Sequence, residues 1–169
     1  MNALASGMSQ PFYEQVRAFY AAHRQGLFTY ALLLSGRRDA AEDAVHAAFA
    51  NLLRRGRIPR EWRSYVFRCV RNEALQLCRQ EKRRSERESI LAQNNGQQPP
   101  GSLHGWHPED LQAALETLGD AERESIVLKL YDGLTFREIA AVRGVSINTA
   151  SSWYRRGIEK LRSILEKEA

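Results

Sequence analysis

Residues 135–160 read TFREIAAVRGVSINTASSWYRRGIEK, and this stretch decides the fold of the C-terminal part of the chain. Thr135 is placed to cap a short helix, and Glu138 three residues later completes a capping box. Phe136, Ile139 and Ala140 give that helix one apolar face. Gly144 supplies the turn, since a residue without Cβ tolerates positive φ, and Val145 can plug the angle between two helices. Ser146 is the expected cap of the next helix. Its Ile147, Ala150, Tyr154, Ile158, Leu161 and Leu165 recur at spacings of three and four and form a packing stripe. The opposite side presents Asn148, Ser151, Ser152, Arg155 and Arg156, donors suited to base edges or phosphates near the end that a helix-turn-helix inserts into a groove. Trp153 flanks the stripe as core edge. The competing interpretation is an ordinary helical hairpin with a solvated basic face.

Positive charge permits nucleic acid or an anionic surface as partner, and its distribution is more telling than its size. The chain has 169 residues, 43% of them hydrophobic, a net charge of +5 and a pI near 9.5. Residues 54–88 hold 12 of the 25 Lys and Arg but only 5 of the 20 acids, so the positive excess is local. No apolar run approaches the ~18–20 residues that span a bilayer, and no charged segment precedes an apolar signal core. A cytoplasmic location without direct membrane insertion is expected. Cys69 and Cys78 read as small buried hydrophobes. His104 and His107 have a metal-site spacing without a second pair, so neither a metal nor a cofactor is expected.

The first half predicts three amphipathic helices. Residues from about 11 to 35 carry Phe12, Val16, Phe19, Tyr20, Leu27, Tyr30, Ala31 and Leu34 despite Gly26, and Gly36 ends the run. Asp39 is the expected cap of a helix over about 40–54, with Ala41, Ala44, Val45, Ala48, Phe49 and Leu52 inward and Glu42, Asp43 and His46 outward. After the loop RRGRIP, Pro59 leads into a third helix over about 60–90, with Trp62, Val66, Cys69, Val70 and Leu77 at core spacing. Residues 93–105, QNNGQQPPGSLHG, read as linker. Beyond it, a helix over Leu111 to Leu118 precedes another capped by Asp120 and carrying Ile126, Val127, Leu130 and Tyr131, and Asp132-Gly133 turns the chain into the helix-turn-helix. The expected fold is all-α: two small helical lobes, 10–90 and 109–169, joined by a flexible linker over 91–108.

Catalytic motifs are missing from this pattern. There is no phosphate loop, nucleophile elbow or His-Glu zinc motif, and the adjacent acids Glu42 and Asp43 diverge on a helix, so an enzyme is not expected. In the third helix, Trp62, Tyr65, Phe67, Arg68, Arg71, Asn72 and Arg79 interleave rings and guanidinium groups. That mixture suits single strands, because rings accept unstacked bases while arginines follow phosphates. Some of these rings can equally be core, Trp62 above all, and Asn72 can serve helix packing as well as a base edge.

The two lobes together resemble the extracytoplasmic-function (ECF) group of bacterial RNA polymerase sigma factors, the sigma-70 family members reduced to regions two and four. DAAEDAVHAAFANLL at 39–53 is similar to region 2.2, YVFRCVRNEALQLCRQEKRR at 65–84 to regions 2.3 and 2.4, and residues 115–165 to region four. The resemblance implies that Glu42, Asp43 and His46 dock on the polymerase clamp. It implies that Arg57, Tyr65, Arg68, Arg71, Asn72 and Arg79 hold the melted strand of the minus-ten element. Asn148, Thr149, Ser151, Ser152, Arg155 and Arg156 would read the minus-thirty-five element as duplex. Expected partners are core RNA polymerase, promoter DNA in both forms, and an anti-sigma factor. His46 stands where Gln is usual, Gln76 where Asp is frequent, Gly119 where Pro is usual, and Ala150 and Ser151 replace a branched apolar and a basic residue. The alternative is an autonomous helix-turn-helix regulator that binds duplex DNA as a homodimer. Such a protein has no need of the arginine-aromatic helix or of the acidic patch before it.

Overall fold

The computed structural model describes residues 10–91, 115 and 117–168, and their side chains except for 86–91 and 165–168. The expected linker, His104 and His107 lie outside the described residues. Within them the chain is helical and contains no strand.

Helix α1 (Gln10–Ser35) runs unbroken through Gly26 and buries Phe12, Val16, Phe19, Leu27, Tyr30 and Ala31. It stops at Gly36, whose φ of 67° is left-handed and whose N–H bonds the Leu32 carbonyl at 2.8 Å. Helix α2 (Arg38–Arg55) buries the six residues that its periodicity selects, Ala41 through Leu52. Its start differs from the sequence expectation. Arg37, not Asp39, occupies the cap, and Asp39 sits in the first turn, where Arg37 donates to its carboxylate. An acid there still complements the positive helix end. Gly56, with φ 68°, closes α2.

Helix α3 (Trp62–Leu91) lays Val66, Phe67, Val70 and Ala74 against α1 and α2. Phe19 links the three helices at one end, its ring 4.1 Å from Trp62 and 6.4 Å from Phe49. Each fully buried large apolar side chain of this kind contributes ~1.5–3 kcal/mol.

The helix expected over Leu111 to Leu118 lies outside the described residues except at 115, 117 and 118; among the described residues the C-terminal lobe begins with Leu115 and Leu118, followed by α4 (Asp120–Ile126). Gly119 rather than Asp120 is its cap, and the Gly119 N–H donates to the Glu122 side chain at 3.3 Å. The helix then widens into a π turn, Val127–Tyr131, and the Asp132 N–H reaches back five residues to the Val127 carbonyl. The sequence predicts one regular helix with Leu130 inward. The extra residue in the turn shifts the phase, so Leu128 is buried and Leu130 is 57% exposed.

Helix α5 (Phe136–Arg143) and helix α6 (Ile147–Glu168) form the helix-turn-helix. The capping box is present: the Thr135 N–H donates to Glu138 Oε2 at 2.7 Å, and the Glu138 N–H donates to Thr135 Oγ1 at 3.2 Å. Gly144 has φ 68°, and Val145 bonds back to the Ala140 carbonyl at 3.1 Å. Ser146 caps α6 through the Thr149 N–H at 3.0 Å. Ala150 and Leu161 are buried on the expected stripe, but Ile147 is 46% exposed, because the first residue of α6 precedes the point where the helix meets its neighbours.

The cores are less divided than the sequence suggests. A small cluster of Leu115, Leu118, Ile126 and Leu161 belongs to the C-terminal lobe alone. Leu128, Leu134, Ile139, Ala140, Val142 and Ala150 instead continue the core of the first three helices. The lobes therefore share one apolar interior, chiefly where α5 packs on α3.

Candidate nucleic-acid interface

On α6, Asn148, Thr149, Ser152, Arg155 and Arg156 share one open face of the helix, joined by Glu159. Five of the six residues proposed for duplex contact thus share a surface. Ser151 does not line it and is half-buried. Arg155 and Arg156 are exposed, and Arg156 lies close enough to Glu122 to help hold that carboxyl below its ordinary range, after the stronger bond from Lys160 Nζ at 2.7 Å. Phe136 and Tyr154 pack ring to ring at 5.4 Å where α6 meets α5. Trp153 lies under the Arg143 guanidinium at 4.9 Å, a core-edge position.

On α3, Arg68, Asn72 and Arg79 are exposed, as is Arg57 in the loop after α2. Positions 65, 68, 72 and 79 fall within a sector of ~60° at 100° per residue, so one face carries them. Tyr65 is half-buried with Arg55 stacked on its ring at 5.1 Å. Asn51 donates to Glu73 at 3.0 Å and accepts from Arg54, which ties the base of the basic loop to α3. Two rings of the interleaved set are not available for bases in this arrangement. Phe67 is wholly buried beside Tyr30, and Trp62 packs on Phe19.

Arg71 departs from that face. It turns toward the C-terminal lobe, where Nε donates to Glu124 Oε1 at 2.8 Å. Glu124, whose side chain is 3% exposed, also accepts from the Tyr30 hydroxyl and from Arg143. Burial and then the adjoining carboxylate push the Tyr30 phenol well above its ordinary value, so it stays a donor. A second junction lies nearby. Arg63 donates to the Asp132 carbonyl at the end of the π turn and stands 3.7 Å from Glu138. The Asp132 carboxyl points at Gly26 of α1, and burial raises it from 3.8 to about 7 against the opposing pull of Arg63. These junction residues were missed in the sequence. The available signal was Glu124, a carboxylate four residues before Leu128 on an apolar face.

Glu42, Asp43 and His46 are exposed together on the outer side of α2. Cys69 and Cys78 are free and half-buried, both thiols raised by burial, and Cys78 Sγ lies 3.4 Å from the Leu34 carbonyl. Among the described residues no cluster of His, Cys, Asp or Glu could hold a metal ion, and no helix is long and apolar enough to cross a membrane.

Fold and site define a class: an all-helical, two-lobe protein with a groove-reading helix-turn-helix in one lobe and a basic, ring-bearing helix in the other. Residues 19–84 match the family described as Sigma-70 region 2, and residues 109–161 that described as Sigma-70, region 4. The chain is 30% identical over 165 residues to RNA polymerase sigma factor CarQ of Myxococcus xanthus, covering 93% of this chain and 91% of that protein. It is 30% identical over 156 residues to ECF RNA polymerase sigma factor SigE of Mycolicibacterium smegmatis, covering 87% of this chain but 60% of SigE. The fold is similar to the sigma factor RpoE in its co-crystal structure with the anti-sigma factor NepR from Bartonella quintana (TM-score 0.69, 22% identity, 90% of this chain and 98% of that one). It is also similar to CnrH in complex with the cytosolic domain of CnrY (TM-score 0.64, 23% identity, 98% and 94%). The chain belongs to the sigma-70 family of RNA polymerase sigma factors, in its ECF group.

Proposed function

We propose that this protein is a transcription initiation factor that binds core RNA polymerase and directs it to a specific set of promoters, acting in the cytoplasm and catalysing no reaction of its own. The observation that carries this reading is the presence, in one chain, of an open face of polar and basic donors on α6 and a basic face with an accessible amide on α3. The α6 face reads the minus-thirty-five element through Asn148, Thr149, Ser152, Arg155 and Arg156, with Ser151 at its margin. Arg57, Tyr65, Arg68, Asn72 and Arg79, joined by Arg71 once it is released, take the melted strand of the minus-ten element. Unstacking a base costs a few kcal/mol, which a pocket of ring, amide and guanidinium groups offsets. Glu42, Asp43 and His46 make the contact with polymerase. Residues 10–90 and 109–169 act as separate functional units over the linker 91–108, and an anti-sigma factor is a fitting inhibitor.

The test is in vitro transcription with purified core polymerase and a promoter library. Specific start sites that depend on the protein, together with co-purification with core, are expected. Failure of both, with retained binding to a palindromic duplex, would establish the homodimeric regulator instead.

A further inference from the structure

Among the arginines of the strand-binding set, Arg71 is engaged by a carboxylate from the other lobe. Glu124 offers Arg71 one anionic oxygen, Oε1, as a backbone phosphate would, while Oε2 is held by Arg143. We propose that Glu124 is an internal stand-in for a DNA phosphate: by engaging Arg71 it holds the lobes shut, and the strand of an opened promoter competes with it for that arginine. This inference rests on the strand-binding role given to α3 above.

Closure and promoter reading are mutually exclusive on size. The two promoter elements are centred about 25 base pairs apart, ~85 Å along straight duplex at 3.4 Å per pair. A closed body of this length has a radius of gyration of ~15 Å and a diameter of ~40 Å. The α6 face and the α3 face therefore reach their elements together only after the lobes part.

The polar part of the junction is built to open, beside the apolar contact of α5 with α3. Glu124 has partners on both sides, Tyr30 and Arg71 from the N-terminal lobe and Arg143 from its own. When the lobes separate, Arg143 remains with Glu124, so the carboxylate is not stranded, and Arg71 leaves with its charge free for a phosphate. Removing ions from water consumes most of what a buried pair gains, so such a contact selects a geometry more than it stabilises one. The second junction has the same sense. Asp132 enters the closed interface only because residue 26 has no side chain, since a Cβ there would lie 1.8 Å from Oδ1.

Two variants of the full chain test the latch: Glu124→Gln, which cannot match two arginines, and Gly26→Ala. The latter improves the helix propensity of α1 while it obstructs Asp132, so it separates opening from misfolding. The readouts are the radius of gyration by small-angle scattering and the affinity for a fluorescein-labelled single-stranded oligonucleotide by anisotropy, both without polymerase. Expected results are a compact wild type, an expanded form of each variant, and strand binding tighter by about tenfold, the scale of one regained charge-assisted contact. Variants as compact as wild type would overturn the latch. Expansion with strand affinity no tighter than that of wild type would overturn the competition for Arg71. Expansion with no strand binding by any form would overturn the competition too, and would count against the strand-binding role itself.

Discussion

Asp132 faces Gly26 across the lobe junction so closely that a Cβ at position 26 would lie 1.8 Å from Oδ1 and the carboxyl would have to turn away. The contact places a carboxyl group in the interface with one oxygen, Oδ2, unpartnered among the described residues. Burial, opposed by Arg63, raises its proton affinity to about 7 from 3.8. The packed state then favours the protonated acid, and ionising it costs the packed state up to ~4 kcal/mol at ~1.4 kcal/mol per unit. That cost is absent below about pH 4, grows as pH rises toward 7, and is constant above it. His23, held low by burial and by Arg63, acts in the opposite direction below about pH 6.5. The readout is therefore a difference. Wild type should lose thermal stability between about pH 5 and pH 8 relative to Asp132→Asn, and parallel curves would remove Asp132 as the cause.

Arg156 stands exposed on the open face of α6. Arg156→Ala should weaken binding to the upstream duplex by about 1–3 kcal/mol if the guanidinium contacts a base, and relax preference at a single position. Binding to core polymerase should not change. Competition binding against a set of singly substituted duplexes distinguishes this from a phosphate contact, whose loss weakens all sequences alike.

Asn72 is exposed between Arg68 and Arg79 on α3 and supports none of the packing described. Asn72→Ala should lower the fraction of opened promoter, read by permanganate reactivity of unpaired thymines, while duplex binding by the holoenzyme is retained. Equal losses in the two assays would remove its role with the melted strand.

Thr135 and Glu138 exchange hydrogen bonds at the start of α5. Thr135→Ala should destabilise the protein by ~1 kcal/mol and lower Tm by roughly 2–4 °C for a chain of this size. A shift within error would mean that the packing of α5 on α3 alone secures that helix end.

Much of the fold is legible in particular residues. The capping pair Thr135 and Glu138, the left-handed Gly36, Gly56 and Gly144, and the stripe from Ala41 to Leu52 each follow from local rules of backbone and periodicity. Misreadings occur where a distant partner intervenes. Asp39 yields the cap position because Arg37 clasps it while also reaching Glu81 of α3, 3.3 Å away. Leu130 turns outward because a π turn resets the phase ahead of Asp132, and no propensity scale anticipates that shift. Phe67 looks available for a base in sequence, yet Tyr30 covers it.

The linear chain by itself determined most of the helices, the caps of the helix-turn-helix, the exposed α6 donors and the basic character of α3, because these depend on neighbours within a turn or two. Tertiary structure alone decided which arginines of α3 are engaged and with what. Glu124 lies 53 positions from Arg71 and 94 from Tyr30, separations at which no periodicity carries information. Only the shared apolar interior brings these groups together, and by excluding water it makes a carboxylate among two arginines and a phenol a specific contact rather than a solvated pair.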